Sequence, residues 1–213
     1  MQPDLPPPAA EPTVAGDSQR ANERRVVTTL LLGRVVRQDG SDGLCRVRNL
    51  SSGGMMFEAL KRFINGDHVT IELRNGHVLS GTVVWAREGR NGVAFDEELS
   101  DEALVTLDKI VHSGKGRARA PRFDVGVSTR ATVEGRALPV VLENISQSGG
   151  MLRTSEPLAF TPTVVLAIPN LGSRLCDRRW VREGAVGVSF VQMLRYDELA
   201  EWLEHRPAPG VTN

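Results

Sequence analysis

Shifted against itself by the interval from Asn49 to Asn144, 95 positions, this sequence matches itself without a gap. Asn49, Ser51 and Gly54 fall on Asn144, Ser146 and Gly149. Trp85, Arg87, Glu88 and Gly89 fall on Trp180, Arg182, Glu183 and Gly184, and Gly92, Val93 and Phe95 on Gly187, Val188 and Phe190. Arg24 and Arg119, Met56 and Met151, Val69 and Val164, and Leu104 and Leu199 keep the same interval. One constant offset along a whole unit is the mark of duplication, so the chain must fold as two copies of one small module. The copies are expected at residues 20–113 and 114–207, after a proline-rich, disordered lead-in at 1–19 and before a short tail at 208–213. Each is large enough to bury a modest core.

Within a copy the pattern is that of short strands. VVTTLLLGRVV, rich in β-branched residues and leucine, predicts a long strand. CRVRNLSSGGMMFE predicts two strands broken by a Ser/Gly turn. DHVTIEL and HVLSGTVVWAR, separated by Asn75-Gly76, predict a hairpin, and Gly92 to Phe95 a closing strand. From Glu98 to His112 the apolar residues Leu99, Ala103, Leu104, Leu107, Ile110 and Val111 take helical spacing, with Ser100 as a start and Gly114 as a stop. The second copy ends likewise in MLRYDELAEWLEH, where Leu194, Leu199, Trp202 and Leu203 share a face. The expected fold class is mainly β: two small antiparallel barrels of five or six strands, each with a C-terminal helix. The Gly- and Arg-rich linker from His112 to Pro121 is short, which sets the modules close together.

Composition narrows the function. Twenty-six basic residues balance 26 acidic ones and the pI is near 6.9, so no wholesale electrostatic grip on nucleic acid or membrane is expected. The lead-in lacks the apolar region of a signal peptide, no apolar run is long enough to span a bilayer, and Cys45 and Cys176 form no CxxC pair. These features predict a cytoplasmic protein whose cysteines are small buried groups. His68, His77, His112 and His205 are scattered, without metal-ligand spacing. Asp101, Glu102, Asp108, Asp197, Glu198 and Glu201 fall on predicted helices as solvated faces, and no nucleophile elbow, HExxH or phosphate-loop lysine motif occurs. The reading is a binding protein, not an enzyme.

One motif carries chemistry. Asn-x-Ser-x-x-Gly occurs once in each copy, as NLSSGG and NISQSG, downstream of an arginine cluster and upstream of a Trp and a Gly-Val-x-Phe strand. In this combination both halves resemble the PilZ domain, the bacterial receptor module for cyclic di-GMP, whose signature is an RxxxR loop before Asp/Asn-x-Ser-x-x-Gly. The resemblance implies a cyclic di-GMP ligand, no other cofactor, and an effector that signals to an unidentified partner protein, with no DNA or RNA involved. It assigns the second-copy site to Arg117, Arg119, Arg122, Asn144, Ser146 and Gly149, and a weaker first-copy site to Arg20, Arg24, Arg25, Asn49, Ser51 and Gly54. The residue types suit the ligand: arginine forks onto phosphate or a guanine edge and stacks on the base, while amide and hydroxyl supply donors and acceptors. Two departures stand out. Arg20-x-x-x-Arg24 keeps the family spacing, yet Val27 occupies the position that duplicates Arg122. In the second copy the arginines stand two and three apart, with Lys115 or Ala118 where the family has its first arginine.

A bland alternative stands beside each assignment. Asn, Ser and Gly satisfy a turn by themselves, arginine runs make ordinary linkers, and Trp85 and Trp180 suit rim packing better than ligand stacking. A degenerate pair serving as a nucleotide-independent protein scaffold is therefore the rival reading, and an RNA-binding barrel ranks below it for want of interleaved aromatics.

Overall fold

The computed structural model describes residues 26–73, 76–113, 120–155 and 162–206. The expected lead-in at 1–19, the tail at 208–213, and Arg20, Arg24, Arg25, Asn75, Gly114, Lys115, Arg117, Ala118 and Arg119 lie outside them, as do the side chains of Asp108, Ile110, Val111 and His112.

The chain forms two closed six-strand antiparallel barrels and two helices. The first barrel runs β1 (Val26–Arg37), β2 (Asp42–Leu50), β3 (Gly54–Ala59), β4 (His68–Leu73), β5 (Val78–Arg87) and β6 (Arg90–Phe95), followed by α1 (Asp101–Ser113). The second repeats this as β7 (Phe123–Val133), β8 (Arg136–Ser146), β9 (Gly149–Arg153), β10 (Thr163–Ile168), β11 (Gly172–Arg182) and β12 (Ala185–Phe190), followed by α2 (Tyr196–Glu204). Both close in one order, β1-β2-β3-β6-β5-β4 and β7-β8-β9-β12-β11-β10. The β5–β6 and β11–β12 turns are the Glu-Gly pairs of the repeat, with positive φ at Glu88 (48°), Gly89 (75°), Glu183 (45°) and Gly184 (77°). Positive φ at both central residues is the twist a tight hairpin needs.

Alternation fills each core. In β10 every second residue, Val164, Leu166 and Ile168, is buried, and β4 buries Val69, Ile71 and Leu73 in the same way. Helix α1 starts as predicted, with the Ser100 hydroxyl accepting from the Ala103 amide at 3.2 Å, and lays Leu104 and Leu107 on the first core. Leu194, Leu199, Trp202 and Leu203 join the second core, and the Trp202 indole donates to the Pro169 carbonyl at 2.8 Å. Glu198 is no bystander on the solvated face: it accepts from the Arg195 amide at 2.9 Å and from Arg174 at 3.1 Å, closing the N-terminus of α2. Both cysteines are free and buried, and burial pushes the Cys45 thiol up to about 12 and the Cys176 thiol up to about 11.

One strand breaks the alternation. Asp42, Gly43, Leu44 and Cys45 at the head of β2 are all buried, because α2 of the second barrel covers the outer face of this strand. Leu44 belongs to the second barrel's core. The Tyr196 hydroxyl donates toward the Leu44 and Glu58 carbonyls at 3.4 and 3.3 Å, and the Arg46 guanidinium sits 4.2 Å over the Tyr196 ring. The Asp42 carboxylate, 4 % exposed, is held by Arg34 at 2.7 Å and also by Arg206. A buried carboxylate held by two guanidiniums is costly to break, on the order of 3–5 kcal/mol when one partner is removed. The barrels are thus joined by a polar seam as well as by the linker.

Candidate functional site

In both barrels the repeated residues form one row across the sheet. Trp180 of β11 pairs with Gly187 of β12, Gly187 with Met151 of β9, Met151 with Asn144 of β8, and Asn144 with Asp124 of β7. The first barrel aligns Trp85, Gly92, Met56, Asn49 and Val27 in the same way. The row is irregular where it matters. Register shifts fall between Asp124 and Val127, between Leu142 and Asn144, and between Arg178 and Trp180, and the first barrel has them at the matching places. Such bulges re-aim side chains. Here they turn Asn144 and Trp180 to the barrel's rim.

The glycine of the row is required by the tryptophan. A Cβ at Gly187 would overlap the Trp180 indole, and one at Gly92 would overlap that of Trp85. Each ring lies flat across its glycine yet is 37 % exposed at Trp180 and 39 % at Trp85, so each both packs the rim and offers a face to solvent. The motif serines are engaged locally. The Ser146 hydroxyl donates to the Gly149 carbonyl at 3.1 Å, and the Ser51 hydroxyl to that of Gly54 at 3.1 Å. They hold the turn between the two motif strands, and each hydroxyl oxygen keeps acceptor capacity. A Cβ at Gly54 or Gly149 would strike the neighbouring strand's carbonyl at Val93 or Val188, which is why that position is glycine.

Beside this turn the second barrel opens a cleft of about 450 Å³ lined by Ala120, Arg122, Ser146, Ser148, Trp180 and Arg182. Arg122, exposed at the foot of β7, donates to the Asn144 side-chain oxygen at 3.4 Å. Of the six second-copy residues, the structure therefore brings Arg122, Asn144, Ser146 and Gly149 together. The matching cleft of the first barrel, about 330 Å³, holds Asn49, Ser51 and Gly54 among Met55, Met56, Val84 and Trp85. No arginine lines it among the described residues. The sequence reading missed Arg182, Ser148 and the part of Trp180 in the wall. The signal was present in the repeated Trp-x-Arg-x-Gly, but its meaning depends on strand order: because β12 lies between β9 and β11, Trp180 stands across Gly187 and Met151 from Asn144, and Arg182 joins the cleft from two residues further along β11.

Residues 18–113 match the PilZ domain family model. No curated protein matches the sequence. Among solved structures, the chain is similar to the Borreliella burgdorferi PlzA protein in complex with c-di-GMP (10 % identity, 86 % of this chain and 94 % of that one, TM-score 0.38). It is also similar to the Bacillus subtilis inhibitor of motility MotI/DgrA (10 % identity, 84 % and 96 % coverage, TM-score 0.35) and to Escherichia coli YcgR in complex with c-di-GMP (11 % identity, 83 % and 81 % coverage, TM-score 0.29). The PilZ match thus covers the first barrel, and the second barrel is built to the same strand order on the same repeated row.

Proposed function

We propose that the second barrel's cleft binds cyclic di-GMP and that the chain is an effector which passes the bound state to a partner protein in the bacterial cytoplasm. The observation that carries the reading is the meeting of Arg122 with Asn144 at the mouth of a cleft whose other walls are Arg182 and Trp180. Two arginines lining one cleft answer the two phosphates of the ligand, and the exposed indole suits a guanine. Asn144 offers donor and acceptor to a base edge, and Ser146 a remaining lone pair. Arg117 and Arg119 of the linker between the barrels would complete the grip, and ordering that segment on the nucleotide would change the surface a partner reads.

The first barrel favours the other reading. Its cleft presents Met56, Val84 and Trp85 and no arginine among the described residues, which fits a protein contact better than a nucleotide. The register sets Val27 opposite Asn49 where the second barrel has Asp124 opposite Asn144, so Val27 matches Arg122 by sequence offset and not by place on the strand. Arg20, Arg24 and Arg25 are its remaining candidates.

Calorimetry with cyclic di-GMP on the full chain tests both. Binding is expected at one site per chain. Arg122→Ala and Arg182→Ala each weaken it about tenfold or more, the loss of one charge-assisted contact of roughly 1.5–3 kcal/mol. Absence of heat at tens of micromolar nucleotide, or unchanged affinity in Arg122→Ala, overturns the reading and leaves the scaffold.

A further inference from the structure

The seam between the barrels reaches the second barrel's cleft. Arg34, on β1 of the first barrel, donates to Asp42 at 2.7 Å and lies 3.5 Å from Glu72, so two carboxylates fix its guanidinium. That guanidinium faces the ring of Phe123 at 6.0 Å. Phe123 is fully buried, opens β7, and pairs with Ile145, while its neighbour Asp124 pairs with Asn144. Its other neighbour along the chain is Arg122, whose guanidinium meets Asn144. The path is short: a residue of the first barrel faces the aromatic ring that anchors the peptide carrying the second barrel's arginine. Asp42 is gripped from the far side by Arg206, beyond α2, so the second barrel's own C-terminal end helps to hold the residue that seats its first strand.

We propose that Arg34 of the first barrel is a positioning residue for the cleft of the second, acting through Phe123 on Arg122, so that the site is complete only when the seam is closed. The inference rests on the reading that this cleft holds the nucleotide. A cation over an aromatic face is attracted by the ring's quadrupole, most strongly when shielded from water, and the arginine stem covers the ring's edge. Arg34 touches no part of the cleft and would not contact the ligand. Its effect is to keep the root of Arg122 from shifting, and small misplacements of a site arginine lose affinity readily.

The test uses the full chain. Arg34→Ala is expected to weaken cyclic di-GMP binding about three- to tenfold, as a partly shielded cation–ring contact allows. In a Phe123→Leu background the same change is expected to have no further effect, because the ring through which it acts is gone. If Arg34→Ala does not fold, Arg34→Gln keeps a donor for Asp42, removes the charge over the ring, and carries the same expectation. The Asn144 side-chain amide resonance supplies a readout without nucleotide: it should move in Arg34→Gln and stay still when Arg34→Gln is added to Phe123→Leu. Normal binding in Arg34→Ala and Arg34→Gln beside weakened binding in Arg122→Ala overturns the positioning role while the nucleotide reading stands. If the wild-type chain binds no nucleotide, the nucleotide reading falls, and the amide resonance alone decides the positioning role: an unmoved signal in Arg34→Gln ends it.

Discussion

The two clefts are one architectural element with different linings. Both carry the row of tryptophan, glycine, methionine and asparagine, the same bulges beside the asparagine and the tryptophan, and a motif serine tied to the same glycine carbonyl at 3.1 Å. What differs is charge. The second cleft is walled by Arg122 and Arg182, whereas the first is walled by Met56, Val84 and Trp85 and is smaller, about 330 Å³ against about 450 Å³. The copies share the motif turn and the rim tryptophan, and Arg182 has its duplicate in Arg87, which does not line the first cleft. An Asn-x-Ser-x-x-Gly motif is therefore evidence of the turn before it is evidence of the nucleotide. On the reading proposed above, it is an arginine at the cleft that separates a receptor from a scaffold.

The sharpest way to break this comparison is to remove the feature both clefts share. Alanine at Gly92 or at Gly187 drives a methyl into the facing indole, so each substitution is expected to destabilise its barrel by roughly 1–3 kcal/mol, read as a lower midpoint in denaturant. The stability losses should be alike, while nucleotide affinity should fall only for Gly187→Ala, which displaces Trp180 from the charged cleft. Equal losses of affinity would show that the two clefts are not functionally distinct.

Much of this organisation was legible in the sequence, and the parts that were not share a cause. The constant offset revealed the duplication, and the alternation of β4 revealed a strand, because a local period of two is enforced wherever one face is buried. Ser100 revealed the start of α1 through a contact three residues away. What depends on closure could not be read. Arg182 joins the lining of the cleft only because the barrel orders β12 between β9 and β11. The run Asp42 to Cys45 resists a strand reading by alternation because α2, about 155 residues further along the chain, covers its outer face, and Tyr196 and Arg206 give no local hint of their partners on β2. The serine of the motif was legible as a turn residue able to satisfy the turn's own backbone, and its hydroxyl does donate to the glycine carbonyl.

A graft sharpens the comparison from the other side. Val27→Arg, at the residue that matches Arg122 by the 95-residue offset, sets a guanidinium on β1 opposite Asn49, where the register of the second barrel has Asp124 opposite Asn144. If charge alone separates the clefts, the variant gains a second binding event in calorimetry, improved about tenfold over whatever the unmodified first cleft shows, the value of one charge-assisted contact. Stoichiometry unchanged at one would mean that the apolar lining, Met56 and Val84 above all, excludes the nucleotide independently of the missing arginine.

The smallest effect expected is on acid stability, and it too can be assigned barrel by barrel. In the first barrel, Glu58 accepts from the Arg48 guanidinium at 2.9 Å, with Arg90 nearby at 3.5 Å, and this holds its carboxyl below the ordinary 4.5 despite partial burial. In the second, the Arg195 amide and then Arg174 hold Glu198 below the same value. A carboxyl whose pKa is lower in the folded chain binds fewer protons there than in the unfolded one. Its contribution is present in full above about pH 4.5 and is lost as the pH falls through the folded value. Thermal midpoints should therefore stay level in this respect from pH 7 to pH 5 and decline below about pH 4.5. Glu58→Gln, which keeps an acceptor for Arg48 but no longer titrates, should flatten the first barrel's share of that decline. Glu198→Gln should leave that share intact and relieve the second barrel's. An acid decline untouched by either substitution would assign it to carboxylates elsewhere and leave both barrels' arginine contacts without a role in acid unfolding.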